Sequence, residues 1–158
     1  MMNFSNKRVE LLWQFVNPTL QNNIMFFNLW VQQKFGDELL LTSTVRLLSE
    51  QKAINLARAK VDRDYKPVYP GPHPLGNAVD ASRTARSGHQ WTLDEVKEIV
   101  AEYNKQFPYE FERMVSCMYH DVAGFHLHFQ INPRIYGTGI NQNDPVQYEK
   151  LIVALRGL

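Results

Sequence analysis
The sequence predicts an α+β domain, a small antiparallel sheet flanked by helices. Three observations predict it. Apolar residues recur at helical spacing through the first 35 positions, short apolar runs suited to strands follow without a regular βαβ alternation, and the length of 158 residues suits one core rather than two. We divide the chain into N-terminal helices (1–36), a central core (37–132) and a C-terminal helix (133–158).

Val9, Leu12, Trp13 and Val16, then Leu20, Ile24, Phe27 and Val31, mark two helices separated at Asn17-Pro18, a cap followed by proline at the first helical position. Trp13, Phe26, Phe27, Trp30 and Phe35 read as core. Gly36 stops the second helix. Glu38 to Ser43 suggests a buried strand, and Ser49 to Lys60 a helix with Ile54, Leu56 and Ala57 inward. The four prolines between Asp62 and Pro74 predict a long loop. Asn77 to Ala81 is a short strand. Thr92-Leu93-Asp94-Glu95 is a capping box opening a helix that ends before Pro108. Met114 to Tyr119 and His126 to Ile131 read as antiparallel strands joined by Asp121-Val122-Ala123-Gly124. Asp144-Pro145 caps a last helix running to Leu155.

Composition removes several classes of function. Apolar residues make up 44% and charged residues 21%, as in a soluble globular domain, and the formal net charge is only +1. Lys and Arg are scattered among acids, so no nucleic-acid partner is expected. No window approaches the ~18 apolar residues of a membrane span, and the N-terminus carries no secretory pattern. The expectation is synthesis in the cytoplasm without export by the usual route. Cys117 is the only cysteine, which excludes an internal disulfide and a cysteine-based zinc site, and its apolar neighbours make it a packing residue.

The chemistry is concentrated in two segments, His73 to Asp80 and Gly124 to Gln130, which hold three of the five histidines. Two imidazoles and one carboxylate, with a fourth position open, describe a catalytic zinc site. His126 and His128 lie two apart and share one face of a strand, so both can enter one cleft. His73 and Asp80 meet if a loop at His73 returns as a strand at Asp80, with Gly76 easing the turn. His120 and Asp121 sit before the turn, where they either cap the hairpin or reach the cleft. His89 reads as an exposed loop residue. Tyr65, Tyr69 and Trp91, in loops near these segments, are candidates for lining a peptide groove.

The pattern His73-x-x-Gly76-x-Ala78-x-Asp80, followed by His126-x-His128, resembles the zinc D-alanyl-D-alanine peptidases of the M15 type, which are related to the lysostaphin-type and penicillin-insensitive murein endopeptidases. Leu41-Thr42-Ser43-Thr44-Val45-Arg46 is similar to that family's strand ending in Thr-Ser and an arginine. The resemblance runs from about Leu39 to Asn132. It implies one zinc ion held by His73, Asp80 and His128, with Arg46 binding a substrate carboxylate or polarising the carbonyl under attack. His126 would lie beside the metal and assist proton transfer.

Two positions depart from the family. Gly71 stands where a serine is usual. Phe125 stands three residues before the last zinc histidine, where the family carries the carboxylate that acts as general base. His126 is the favoured substitute, with Asp121 second. The resemblance implies a peptidase acting on bacterial peptidoglycan, either a carboxypeptidase or an endopeptidase. The missing export signal suggests a phage lysin or a virion-associated enzyme. The main alternative is a zinc-binding structural or binding module of a phage particle, and a second is a two-histidine, one-carboxylate iron oxygenase.

Overall fold
The computed structural model describes residues 2–110, 116–120 and 125–158. Asp121, and the turn it belongs to, lie outside the described residues, as do Met114 and Val115 of the strand anticipated over 114–119. Two helices open the chain, α1 (Lys7–Trp13) and α2 (Pro18–Phe35), after a two-residue strand β1 (Asn3–Phe4) that periodicity did not reveal. The Asn17 side chain accepts a hydrogen bond from Thr19 N at the start of α2, and Gly36 ends the helix in the left-handed conformation, as the sequence suggested.

Strand β2 (Leu40–Ser43) leads to helix α3 (Leu48–Val61), and a long loop reaches β3 (Ala78–Ser82). Helix α4 (Leu93–Gln106) precedes β4 (Cys117–His120) and β5 (His126–Gln130). A single turn, α5 (Pro133–Tyr136), and α6 (Pro145–Leu155) complete the elements. The one-turn α5 is too short for a periodic signal and was not anticipated.

The sheet order is β1-β2-β3-β5-β4. The pairs β2–β3, β3–β5 and β4–β5 are antiparallel, whereas β1 joins β2 in parallel, so the expected antiparallel sheet is mixed at one edge. The class is α+β, in a single domain.

Strand alternation gives the sheet two unlike faces. Val79, Ala81, Leu127, Phe129 and Cys117 enter the core on one side, against α2 and α4. There Tyr103 meets Phe27 edge-on at 5.0 Å and Phe129 at 4.8 Å between ring centroids. Asp80, His128 and His126 stand on the opposite face, under α3 and the Asp62–Pro74 loop.

Three packing expectations are corrected. Phe26 is 71% exposed and lies outside the core, because the apolar stripe of α2 is set by Leu20, Ile24, Phe27 and Val31. Trp91 is fully buried against Phe35 instead of lining a groove. On α3, Leu56 and Ala57 face outward, and the buried residues are Gln51 and Asn55. That helix covers a polar site rather than an apolar core.

The capping box on α4 is formed as read: Glu95 N donates to Thr92 Oγ1 at 3.1 Å and Thr92 N to Glu95 Oε1 at 2.9 Å. Thr92→Ala should cost ~1 kcal/mol in denaturant unfolding. Burial slightly opposes ionisation of Glu95, but hydrogen bonds from the Thr92 backbone and His89 outweigh it and hold the carboxyl below its ordinary value of 4.5. The folded pKa lies below the unfolded one. Stability linked to Glu95 is therefore present above about pH 4.5 and fades as pH falls through the folded value. Glu95→Gln should show a shallower loss over that window.

Candidate metal centre
His73 leaves the proline-rich loop, and a tight turn at Gly76 returns the chain as β3. Gly76 has φ +68°, and a Cβ there would collide with Phe15 O. The turn is fastened by hydrogen bonds from Gly76 N to His73 O (3.1 Å) and from Asn17 N to Gly76 O (2.8 Å). Asp80 then sits directly across the β3–β5 ladder from His128, and paired residues of antiparallel strands project to the same side. His73, Asp80 and His128 are all buried, and one ligand atom from each lies within 4.8 Å of the others.

The hydrogen bonds define which atoms face inward. His73 Nδ1 lies 3.0 Å from Thr44 O, a pure acceptor, so Nδ1 carries the proton. Its Nε2 then presents a lone pair 3.3 Å from Asp80 Oδ2. His128 places Nε2 2.8 Å from Gln130 Oε1 and Nδ1 3.0 Å from Asp80 Oδ1; in the tautomer that gives its Nε2 proton to Gln130, Nδ1 presents a lone pair to the centre. Two imidazole lone pairs and a carboxylate thus converge with both outer nitrogens already committed to oxygen acceptors. Such a set repels itself unless a cation or extra protons fill the centre. Outer hydrogen bonds of this kind orient histidine ligands in metal sites, and the donor set fits a divalent ion such as zinc.

Electrostatics agree with the geometry. Burial alone would raise the Asp80 carboxyl, but when the facing nitrogens of His128 and His73 hold those extra protons, their hydrogen bonds and charges keep it well below the usual carboxylate range. Burial lowers the Arg46 guanidinium somewhat, and Asp80 opposes that shift.

Around this centre lies a cleft of about 620 Å³, within the range of small-ligand sites. Arg46, His120 and His126 line it with the three inner residues, and Tyr65 and Tyr69 form part of its wall. His126 Nε2 is 4.0 Å from Asp80 Oδ2. His120 pairs with His126 across β4 and β5, its ring centroid 5.1 Å from those of both His126 and His128. Burial, then the His128 and His126 charges, push the His120 imidazole down to about 4, so it is neutral near pH 7. Phe125 stacks on Tyr119 at 5.3 Å and supplies no acid. His89 stays on the surface, bonded to Glu95.

The structure brings the expected His73, Asp80 and His128 together, with Arg46 and His126 in the same cleft. The sequence reading missed Gln130, although the strand period that links His126 and His128 extends to it. The Thr44 carbonyl has no side-chain signature. Arg58 and Lys66 also line the cleft, where Asp80 is the sole carboxylate among the described residues.

No protein-family model matches the chain, and no curated protein matches it. Among solved structures, the crystal structure of Serratia marcescens L-Ala D-Glu endopeptidase ChiX is similar over 85% of this chain and 93% of that one, with a TM-score of 0.49 and 18% sequence identity.

Proposed function
We propose that this protein is a zinc-dependent peptidase that hydrolyses peptide bonds of bacterial peptidoglycan. The observation that carries the reading is the convergence of His73 Nε2, His128 Nδ1 and the Asp80 carboxylate at the floor of a cleft that also presents a guanidinium and a further imidazole. The motif resemblance supplies the substrate class. Those three residues would hold the zinc, which when bound supplies Lewis acidity toward a carbonyl and toward water.

The protein's own groups divide the remaining work. Arg46 is positioned to bind a peptide carboxylate or the oxygen that gains charge during attack, and a planar guanidinium does either through paired N–H donors. His126, 27% exposed in the cleft, is placed to take and return a proton at Nε2. Arg58 and Lys66 favour an anionic peptide, and Tyr65 and Tyr69 offer flat apolar surface beside it. Since Phe125 contributes no carboxylate, proton transfer falls to imidazole, and His126 Nε2 stands 4.0 Å from Asp80 Oδ2.

Zinc analysis together with digestion of purified peptidoglycan, products identified by mass, tests the reading. The expected result is one zinc per chain and release of new amines. His126→Ala should keep the zinc and lose ~10²–10⁴-fold in kcat. The Phe125 substitution favours one rival, a metal-binding module without turnover. Zinc retention with no amine release from wild-type protein decides for that module and against the peptidase.

A further inference from the structure
Helix α3 buries the wrong residues for an ordinary amphipathic helix. Gln51 and Asn55, one turn apart, are each 8% exposed, while Leu56 is 65% exposed. Burying two amides costs stability unless their polar atoms are bonded. Here they are, in a fixed order. Arg46 Nη1 donates to Gln51 Oε1 at 2.6 Å, Gln51 Nε2 to Asn55 Oδ1 at 2.9 Å, and Tyr65 Oη donates to the same Asn55 oxygen at 3.0 Å. Asn55 Nδ2 then donates to Val68 O at 3.2 Å.

The direction of this relay follows from its ends. A guanidinium can only donate and a backbone carbonyl can only accept. Gln51 must therefore turn its oxygen toward Arg46 and its nitrogen toward Asn55, and Asn55 must turn its nitrogen toward Val68. Reversing either amide would set donor against donor at one end and acceptor against acceptor at the other.

We propose that Gln51 and Asn55 are positioning residues that aim the Arg46 guanidinium into the cleft and couple it to the cleft wall at Tyr65 and Val68. The backbone of Arg46 is already fixed: its N–H points to His73 O at 3.4 Å, and its carbonyl accepts from Gln142 Nε2 at 2.8 Å. Only the side chain is left to orient. Arg46 and Asp80 attract one another yet form no ion pair among the described residues, so the Gln51 bond holds the guanidinium off the metal-site carboxylate. Its remaining N–H groups are thereby kept for a ligand. Movement of the Tyr65–Val68 wall, as when a peptide enters, would be felt at Arg46 through Asn55.

The inference rests on Arg46 as the substrate-carboxylate site, and the test separates the two ideas. Side-chain ¹⁵N NMR of the zinc-loaded full chain reads the Arg46 guanidinium directly, without turnover. In wild type its N–H protons should exchange slowly with solvent. Gln51→Leu should quicken that exchange roughly tenfold, the loss expected for a hydrogen bond to a charged group. Gln51→Glu keeps the acceptor facing Arg46 but gives up the bond to Asn55 Oδ1, so it should recover most of the slow exchange, and Asn55→Leu should quicken exchange by a smaller factor. Where peptide cleavage is measurable, Gln51→Leu should raise KM roughly tenfold with kcat little changed, and Gln51→Glu should reverse most of the rise. Zinc affinity should be unaltered in all three. Unchanged Arg46 exchange in Gln51→Leu, or no rescue by Gln51→Glu, overturns the positioning role. If Gln51→Leu does not fold, the comparison of wild type with Gln51→Glu and Asn55→Leu decides it: equal exchange in wild type and Asn55→Leu overturns the coupling. A wild type that cleaves nothing sinks the peptidase reading while the NMR result still stands for or against the relay.

Discussion

Asp80→Ala should abolish both zinc binding and peptide cleavage while leaving a folded protein. The Asp80 carboxylate reaches both inner histidines, at 3.3 Å and 3.0 Å. Losing an outer-shell partner of a metal site typically costs ~10–100-fold in affinity, so loss of the anionic ligand itself should exceed about 100-fold. The fold should survive because each imidazole keeps its outward hydrogen bond, His73 to Thr44 O and His128 to Gln130. Asp80→Asn is the stricter variant. It preserves shape but replaces a charged oxygen pair with a neutral amide, whose NH₂ must face one of the lone pairs. Chelator competition measures the affinity. Thermal melting gives an independent reading, since an ion that binds only the native state stabilises it by ~2.7 kcal/mol at a hundred times its Kd. Wild-type protein should show a zinc-dependent rise in Tm and both variants none. An equal rise in Asp80→Ala places the ion elsewhere and removes the proposed centre.

Gly76→Ala should be strongly destabilising although the residue has no chemistry of its own. At φ +68° a side chain costs ~1–2 kcal/mol, and the added Cβ also meets Phe15 O and lies 3.1 Å from Gly139 Cα. Backbone cannot swing aside as a flexible side chain would. Overpacking adds ~1–3 kcal/mol, giving a loss of roughly 2–5 kcal/mol in denaturant unfolding. Because the turn sets the distance from His73 to Asp80, the folded fraction should also bind zinc more weakly. Gly88→Ala is the contrast: its φ is +97°, but no atom lies within 4 Å of the added carbon, so it should show the conformational cost alone. If the two variants are equally stable, the close approach at Phe15 is not a constraint.

How far the sequence spoke depended on range. Signals contained in a few neighbouring residues were legible, as at Asn17-Pro18, Thr92 to Glu95 and Asp144-Pro145. The last of these starts α6 as expected, with the Asp144 side chain accepting from Val146 N and Gln147 N. The inner trio was legible because its spacing follows a known pattern, and His126 and His128 followed from strand periodicity. The β1–β2 pairing was not, since a two-residue strand has no period. The inward face of α3 was misjudged because apolar residues were assumed to point toward an apolar interior, when that helix roofs a polar cleft. Gln51 and Asn55 stand at the i, i+4 spacing of a single helix face, but only knowledge of what lay beneath could give that spacing meaning. Phe26 fell the other way: one position beside a core phenylalanine rotates a side chain by about 100°, enough to leave the stripe.

Strand β5 alternates imidazole and hydrocarbon, His126-Leu127-His128-Phe129, sending one set to the cleft and the other to the core. A slip of one residue in its pairing would exchange the two sets, driving the imidazoles into oil and Phe129 into water. Any cation captured by the correct trio therefore rewards only the correctly threaded hairpin. An ion held by that trio would add stability to the native register alone, since a slipped β5 no longer sets His128 opposite Asp80.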